Sequence, residues 1–179
     1  MSEAQSGIAV LMVCMGNICR SPTAEGVLRV MHRRLVPSLP LRVDSGGTHA
    51  YYHLGEEPDT RSQAAAGRRG YDISAHRARM VTVQDFSRFD YVLAMDDDNL
   101  QHLRKLRRPG SHAELGLLLD YADKDGPRSV PDPYNGGVAG FERVLDLVEA
   151  GVIGLLRSLC MKQGIAFPDK AAQEHDARH

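Results

Sequence analysis

An unbroken apolar run, Ile8-Ala9-Val10-Leu11-Met12-Val13, leads through a short loop into a segment whose apolar residues recur at helical spacing. A strand without polar alternation is buried on both faces, as in a parallel sheet covered by helices. Beyond Pro22, residues Ala24, Val27, Leu28, Met31 and Leu35 fall on one stripe of an amphipathic helix. Ser21 suits the N-cap, and Pro22 the first helical position, where proline gives up a donor that has no partner anyway. Residues 8 to 35 therefore read as strand, loop, helix, the opening unit of an α/β fold.

The alternation continues. Strands are expected at Leu41–Ser45, running into Gly46-Gly47, at Tyr91–Met95 and at Leu115–Leu119; helices are expected over 58–69, 96–108 and 138–161. Residues 120–137, with four Asp, three Pro and three Gly, read as a long loop. This pattern predicts a three-layer, four-stranded parallel sheet with helices on both faces. Gly151 and Gly154 inside the last helix each cost about 1 kcal/mol relative to alanine, so packing must hold that helix together. At 179 residues the chain suits a single domain, assigned to 1–163, with a polar tail over 164–179 expected to be mobile.

Twenty-two Lys and Arg stand against 23 Asp and Glu, a net charge of −1, which lacks the basic excess of a nucleic-acid binder. The N-terminus carries an acid and no base, and the first apolar run ends at Gly16. Neither a signal peptide nor a membrane span is expected, and a reducing cytoplasm is the anticipated compartment. Three cysteines, Cys14, Cys19 and Cys160, are too few for a disulfide framework.

The chemistry lies in the loop Cys14-Met15-Gly16-Asn17-Ile18-Cys19-Arg20-Ser21. A loop entering a helix N-terminus offers unpaired N–H groups and the positive end of the helix dipole. Gly16 and Asn17 tolerate the left-handed angles of an anion-binding nest. Arg20 adds a planar fork for two phosphoryl oxygens. The same field would stabilise a thiolate at Cys14, beneath a bound phosphate and placed for in-line attack. Composition alone would make Cys14 one more buried strand-end thiol; the spacing to Arg20 and the strand–loop–helix setting favour chemistry. Expelling a phenolate calls for a proton donor, and Asp132, held between Pro131 and Pro133, is the candidate. The bland alternative for that segment is turn chemistry.

These residues resemble the low-molecular-weight protein tyrosine phosphatase family. Val13 to Pro22 carry its signature loop, and Asp44-Ser45-Gly46, Ala75 to Arg79, Phe89 to Asp96 and Asp132-Pro133-Tyr134 match further landmarks in the same order, over roughly residues 8 to 160. The resemblance implies a flavodoxin-like, phosphotyrosine phosphatase I-like fold. It also implies metal-independent hydrolysis of protein phosphotyrosine through a phosphocysteine on Cys14, without a cofactor. Arg20 would bind the phosphate and the transition state, and Asp132 would serve as acid and then base. Met15, Gly16, Asn17, Ile18, Cys19 and Ser21 would complete the phosphate loop, with Ser21 keeping Cys14 ionised. Ser45 and His76 would support Asn17, and Cys19 would form a reversible disulfide with Cys14. The implied partners are phosphotyrosine proteins and a cognate tyrosine kinase. The chain departs from the family at Tyr51-Tyr52, in a rim loop one residue longer, and at Tyr134-Asn135; Tyr51, Tyr52 and Tyr134 are the candidate substrate rim.

Two other functions compete. An arsenate reductase on the same scaffold needs two further redox cysteines, and only Cys160 is available. A phosphoryl carrier would have no use for Asp132. His49 and His53 lack the glutamate of a zinc helix, Arg104 to Arg108 read as a solvated helix end, and Asp96-Asp97-Asp98 as charge at a helix start.

Overall fold

The computed structural model describes residues 7–168. Strand β1 (Ile8–Cys14) lies between β2 (Leu41–Gly47) and β3 (Tyr91–Ala94), with β4 (Glu114–Leu117) beyond β3. All three pairings are parallel, in the order β2-β1-β3-β4. Along β1 the side chains alternate between two cores: Ala9, Leu11 and Val13 enter one cluster, while Val10, Met12 and Cys14 enter the other. Both faces are covered, which is why the strand carries no polar residue.

Helices α1 (Arg20–Leu35), α2 (Thr60–Arg68) and α5 (Val138–Gln163) cover the face that Cys14 joins. The opposite face is covered by α3 (Asp85–Arg88), through Phe86, and α4 (Asp97–Leu106), through Leu100 and Leu103. The expected three-layer architecture is present. Among the described residues no helix is long and apolar enough to cross a membrane.

Gly154 explains how α5 tolerates its glycines. A Cβ there would lie 1.7 Å from the Tyr121 carbonyl oxygen, because the short 3₁₀ turn Leu118–Tyr121 packs directly onto the helix. The helix gives up intrinsic propensity to let that backbone approach.

Several boundaries differ from expectation. The first helix starts at Arg20 with Cys19 at its N-cap, so Ser21 is not the cap. Its hydroxyl is engaged with Cys14 and Asn17 instead. The fourth strand ends at Leu117, where the chain turns into the 3₁₀ segment. Helix α4 stops at Leu106 and α5 extends to Gln163, and α3 was not expected at all. Gly164 closes α5 in the left-handed conformation. Beyond it the chain turns back: Ile165 donates to the Cys160 carbonyl at 2.9 Å, and Ile165 and Phe167 pack against the core. The remainder of the expected tail, 169–179, and the N-terminal residues 1–6 lie outside the described residues.

Candidate active site

In parallel sheets ligands gather beyond the strand C-termini where neighbouring connections diverge, and β1, flanked by β2 and β3, ends at such a point. Cys14 is its last residue. The chain leaving β2 follows the loop closely: Thr48 N–H donates to the Cys14 carbonyl and His49 N–H to that of Met15, both at 2.9 Å. Gly47 permits this approach, since a Cβ there would meet the Met15 oxygen at 2.6 Å.

Asn17 sets the shape of the loop. Its φ of 57° is the one positive value outside glycine among the described residues, and asparagine tolerates that region better than most side chains. The residue is fully buried. Its side-chain amide donates to Ser21 Oγ (2.8 Å) and Ser45 Oγ (3.0 Å), and its Oδ1 accepts from Arg79 N–H (2.9 Å). His76 Nε2 lies 3.1 Å from its carbonyl oxygen. The sulfur of Cys14 is 2.9 Å from Ser21 Oγ and accepts from the Asn17 N–H at 3.3 Å. Because the Asn17 amide already occupies one lone pair of Ser21 Oγ, the hydroxyl proton is free to point at the sulfur. The alternative acceptor, the Gly46 carbonyl, is 3.5 Å away.

Behind this layer stands Glu25, which sequence reasoning missed. It is buried on α1, accepts from Ser45 Oγ (2.7 Å) and pairs with His76 Nδ1 (3.2 Å) and Arg29 (2.7 Å). Burial works to raise its carboxyl, but the hydrogen bonds from His76 and Ser45 and the charges of His76 and Arg29 bring it below its ordinary value. Arg79 is held in turn by Asp44 and Asp85, each at 3.0 Å, and Asp85 is the first residue of α3. That unexpected helix thus anchors the far end of the Asn17 network.

Arg20, the other end of the loop, is 3% exposed. It pairs with Asp96 at 2.5 Å, donates to the Val130 carbonyl at 3.1 Å and lies 3.7 Å from Asp132. Asp96 is also the N-cap of α4, in a reciprocal capping box with Asn99. A cleft of about 430 Å³ opens above the loop. Cys14, Met15, Gly16, Ile18, Cys19 and Arg20 form its floor and sides, with Asp132, Tyr134 and Tyr52 at the walls. His49, His53 and Asn135, which were not expected there, also line it. Asn17, Ser21, Ser45 and His76, bonded to one another, are not part of the cleft lining. Tyr51 does not line it either; its ring packs on Tyr52 at 4.4 Å.

Residues 9–164 match the family described as low molecular weight phosphotyrosine protein phosphatase. The chain belongs to this family. It is 42% identical over 142 residues to the human low molecular weight phosphotyrosine protein phosphatase, covering 78% of this chain and 88% of the relative. Identity to a low molecular weight protein-tyrosine-phosphatase of Bacillus subtilis is 37% over 152 residues, 85% and 96% of the two chains. The crystal structure of a protein tyrosine phosphatase from Entamoeba histolytica superposes with a TM-score of 0.80 at 34% identity, covering 88% of this chain and 99% of that one. The protein is a protein-tyrosine phosphatase, and its substrates are phosphotyrosine proteins.

Two electrostatic features of the phosphatase cleft stand out. Burial would lower the Arg20 guanidinium, but Cys14, then Asp96 and Asp132, outweigh it and hold the group above its ordinary value, so its charge is permanent. Burial pushes the Cys19 thiol up to about 12, so at neutral pH it is a protonated neighbour of the loop. The rim is aromatic and open: Tyr52 is 77% and Tyr134 47% exposed, and the Arg61 guanidinium stands 5.4 Å from the Tyr134 ring centroid.

Proposed function

We propose that the phosphatase works through a phosphocysteine on Cys14. The observation that carries this reading is the Cys14 sulfur at the cleft floor, held by the Ser21 hydroxyl and the Asn17 N–H, with Arg20 and Asp132 in the same cleft. A phosphoryl group seated on the loop presents phosphorus to the sulfur. As the S–P bond forms, the P–O bond to tyrosine breaks, and Asp132 gives its proton to the departing phenolate. Asp132, now a carboxylate, then takes a proton from a water that attacks the phosphocysteine, releasing inorganic phosphate and the free thiolate. Arg20 and the loop amides neutralise charge on the equatorial oxygens throughout, the work a metal does elsewhere. The reaction therefore needs no metal, and EDTA should leave its rate unchanged.

Asp132 lines the cleft with half of its side chain exposed, which supports a double role toward the leaving group and the attacking water. Tyr52 and Tyr134 suit the two sides of a phosphotyrosine ring, with Tyr51 backing Tyr52. Cys19 is read as a reversible disulfide partner that shields Cys14 from further oxidation. A tyrosine kinase acting on the same substrates, in the cytoplasm, completes the reading. Hydrolysis of p-nitrophenyl phosphate tests the covalent step: Cys14→Ser should abolish turnover while the protein still binds phosphate. Undiminished turnover in that variant would end the proposal.

A further inference from the structure

Ser62 lies in the first turn of α2 and is buried. Its hydroxyl is the one buried side-chain polar atom among the described residues without a formed hydrogen bond. The group it bears on is the Cys19 thiol, whose ionisation it favours. The start of α2 is fixed against the loop, because Asp59, the N-cap, donates its backbone N–H to the Ile18 carbonyl at 2.8 Å. Cys19 lines the same cleft as Cys14 and is itself buried.

A desolvated hydroxyl left unbonded is uncommon and calls for a reason. A neutral thiol is a weak acceptor. Ionised sulfur is a strong one, and bonds to charged acceptors are roughly twice as strong as neutral ones. Burial drives Cys19 toward the neutral form, and Asp59, Cys14 and Asp132 add to this; the Ser62 hydroxyl opposes them. The hydroxyl has no partner in the resting protein, and a charged Cys19 sulfur would supply one.

We propose that Ser62 is a positioning residue for Cys19, its hydroxyl holding the sulfur and stabilising it as a thiolate when Cys19 closes on an oxidised Cys14. This rests on the reading of Cys14 and Cys19 as a reversible disulfide pair. Hydrogen peroxide converts the Cys14 thiolate to the sulfenic acid: the O–O bond breaks, one oxygen joins sulfur, and the other leaves as hydroxide. Cys19 loses its proton and attacks that sulfur; the S–S bond forms, the S–O bond breaks, and hydroxide departs with the proton as water. A dithiol returns two electrons and two protons and is itself oxidised to a disulfide. Closure competes with a second peroxide reaction that yields the irreversible sulfinic acid, so a donor that eases Cys19 ionisation raises the recoverable fraction.

The experiment treats the full-length protein with hydrogen peroxide, follows the Cys14–Cys19 disulfide by mass spectrometry after iodoacetamide quenching, and measures the activity regained with dithiothreitol. One net hydrogen bond corresponds to about a fivefold change, so Ser62→Ala should form the disulfide about fivefold more slowly and regain less activity. Its unoxidised kcat/KM should stay within about twofold of the wild type, as expected for a residue outside the reaction. Ser62→Thr, which keeps the hydroxyl, should restore closure. Wild-type closure in Ser62→Ala, with reversibility lost in Cys19→Ser, overturns this proposal alone. Slow closure that Ser62→Thr does not rescue overturns it in favour of packing. Full reversibility in Cys19→Ser removes the disulfide reading and this proposal with it.

Discussion

Asn17→Ala removes the residue on which the loop's shape depends. Three side-chain hydrogen bonds disappear, to Ser21, Ser45 and the Arg79 N–H. At about 1 kcal/mol net for each, their loss costs about 3 kcal/mol. Alanine at a φ of 57° adds about 1–2 kcal/mol, the penalty of the left-handed region for a side chain without local hydrogen bonds. The total, about 4–5 kcal/mol, is a large share of the 5–15 kcal/mol typical of a domain. Urea unfolding should therefore show its midpoint lowered by about 2 M at an unchanged slope, taking a slope of about 2 kcal/mol/M. Displacing the Ser21 hydroxyl and the loop amides that Asn17 holds in place should also reduce kcat/KM by about 10²-fold or more. A shift below about 1 kcal/mol with normal kcat/KM would refute the claim that Asn17 organises the loop.

Three further outcomes follow from the same geometry. Gly154→Ala drives a methyl into the Tyr121 carbonyl and should cost about 3 kcal/mol in urea unfolding, with kcat of the folded fraction unchanged. The lowered Glu25 carboxyl contributes stability that is present above its unfolded value near 4.5 and is lost as pH falls through the lower folded one; wild type and Glu25→Gln should differ in stability at pH 7 and converge towards pH 3, and a constant gap would contradict this. Asp132→Ala should lose about 10²–10⁴-fold in kcat while its affinity for vanadate, measured by inhibition or calorimetry, stays near wild type.

Much of this was legible in the amino-acid order because the same physics governs sequence and fold at those places. The double burial of β1 forces an unbroken apolar run, and the covered face of α1 forces its stripe, so both elements declare themselves. Asn17 stands out because few side chains suit positive φ, whereas Gly16, expected to share that conformation, is not among the residues at positive φ. What stayed hidden depends on tertiary partners. Ser21 looks like an N-cap by its hydroxyl, yet that hydroxyl is claimed by Cys14 and Asn17, and the helix begins two residues earlier than expected, at Arg20. Glu25 falls in α1 like any solvated acid, and only the approach of Ser45 and His76 makes it a buried one. Asp96 reads correctly as charge at a helix start, but its pairing with Arg20 spans 76 residues and leaves no local trace. Helix α3 is a single turn, too short for a period, and its reason for existing is Asp85 gripping Arg79.

The covalent role of Cys14 is tested most directly by trapping. The wild-type protein, mixed with a phosphotyrosine peptide and quenched in acid within milliseconds, should yield a tryptic peptide containing Cys14 with one added phosphoryl mass, absent when Cys14 is replaced by serine. Phosphate release without any such adduct, or an adduct on another residue, would contradict the account.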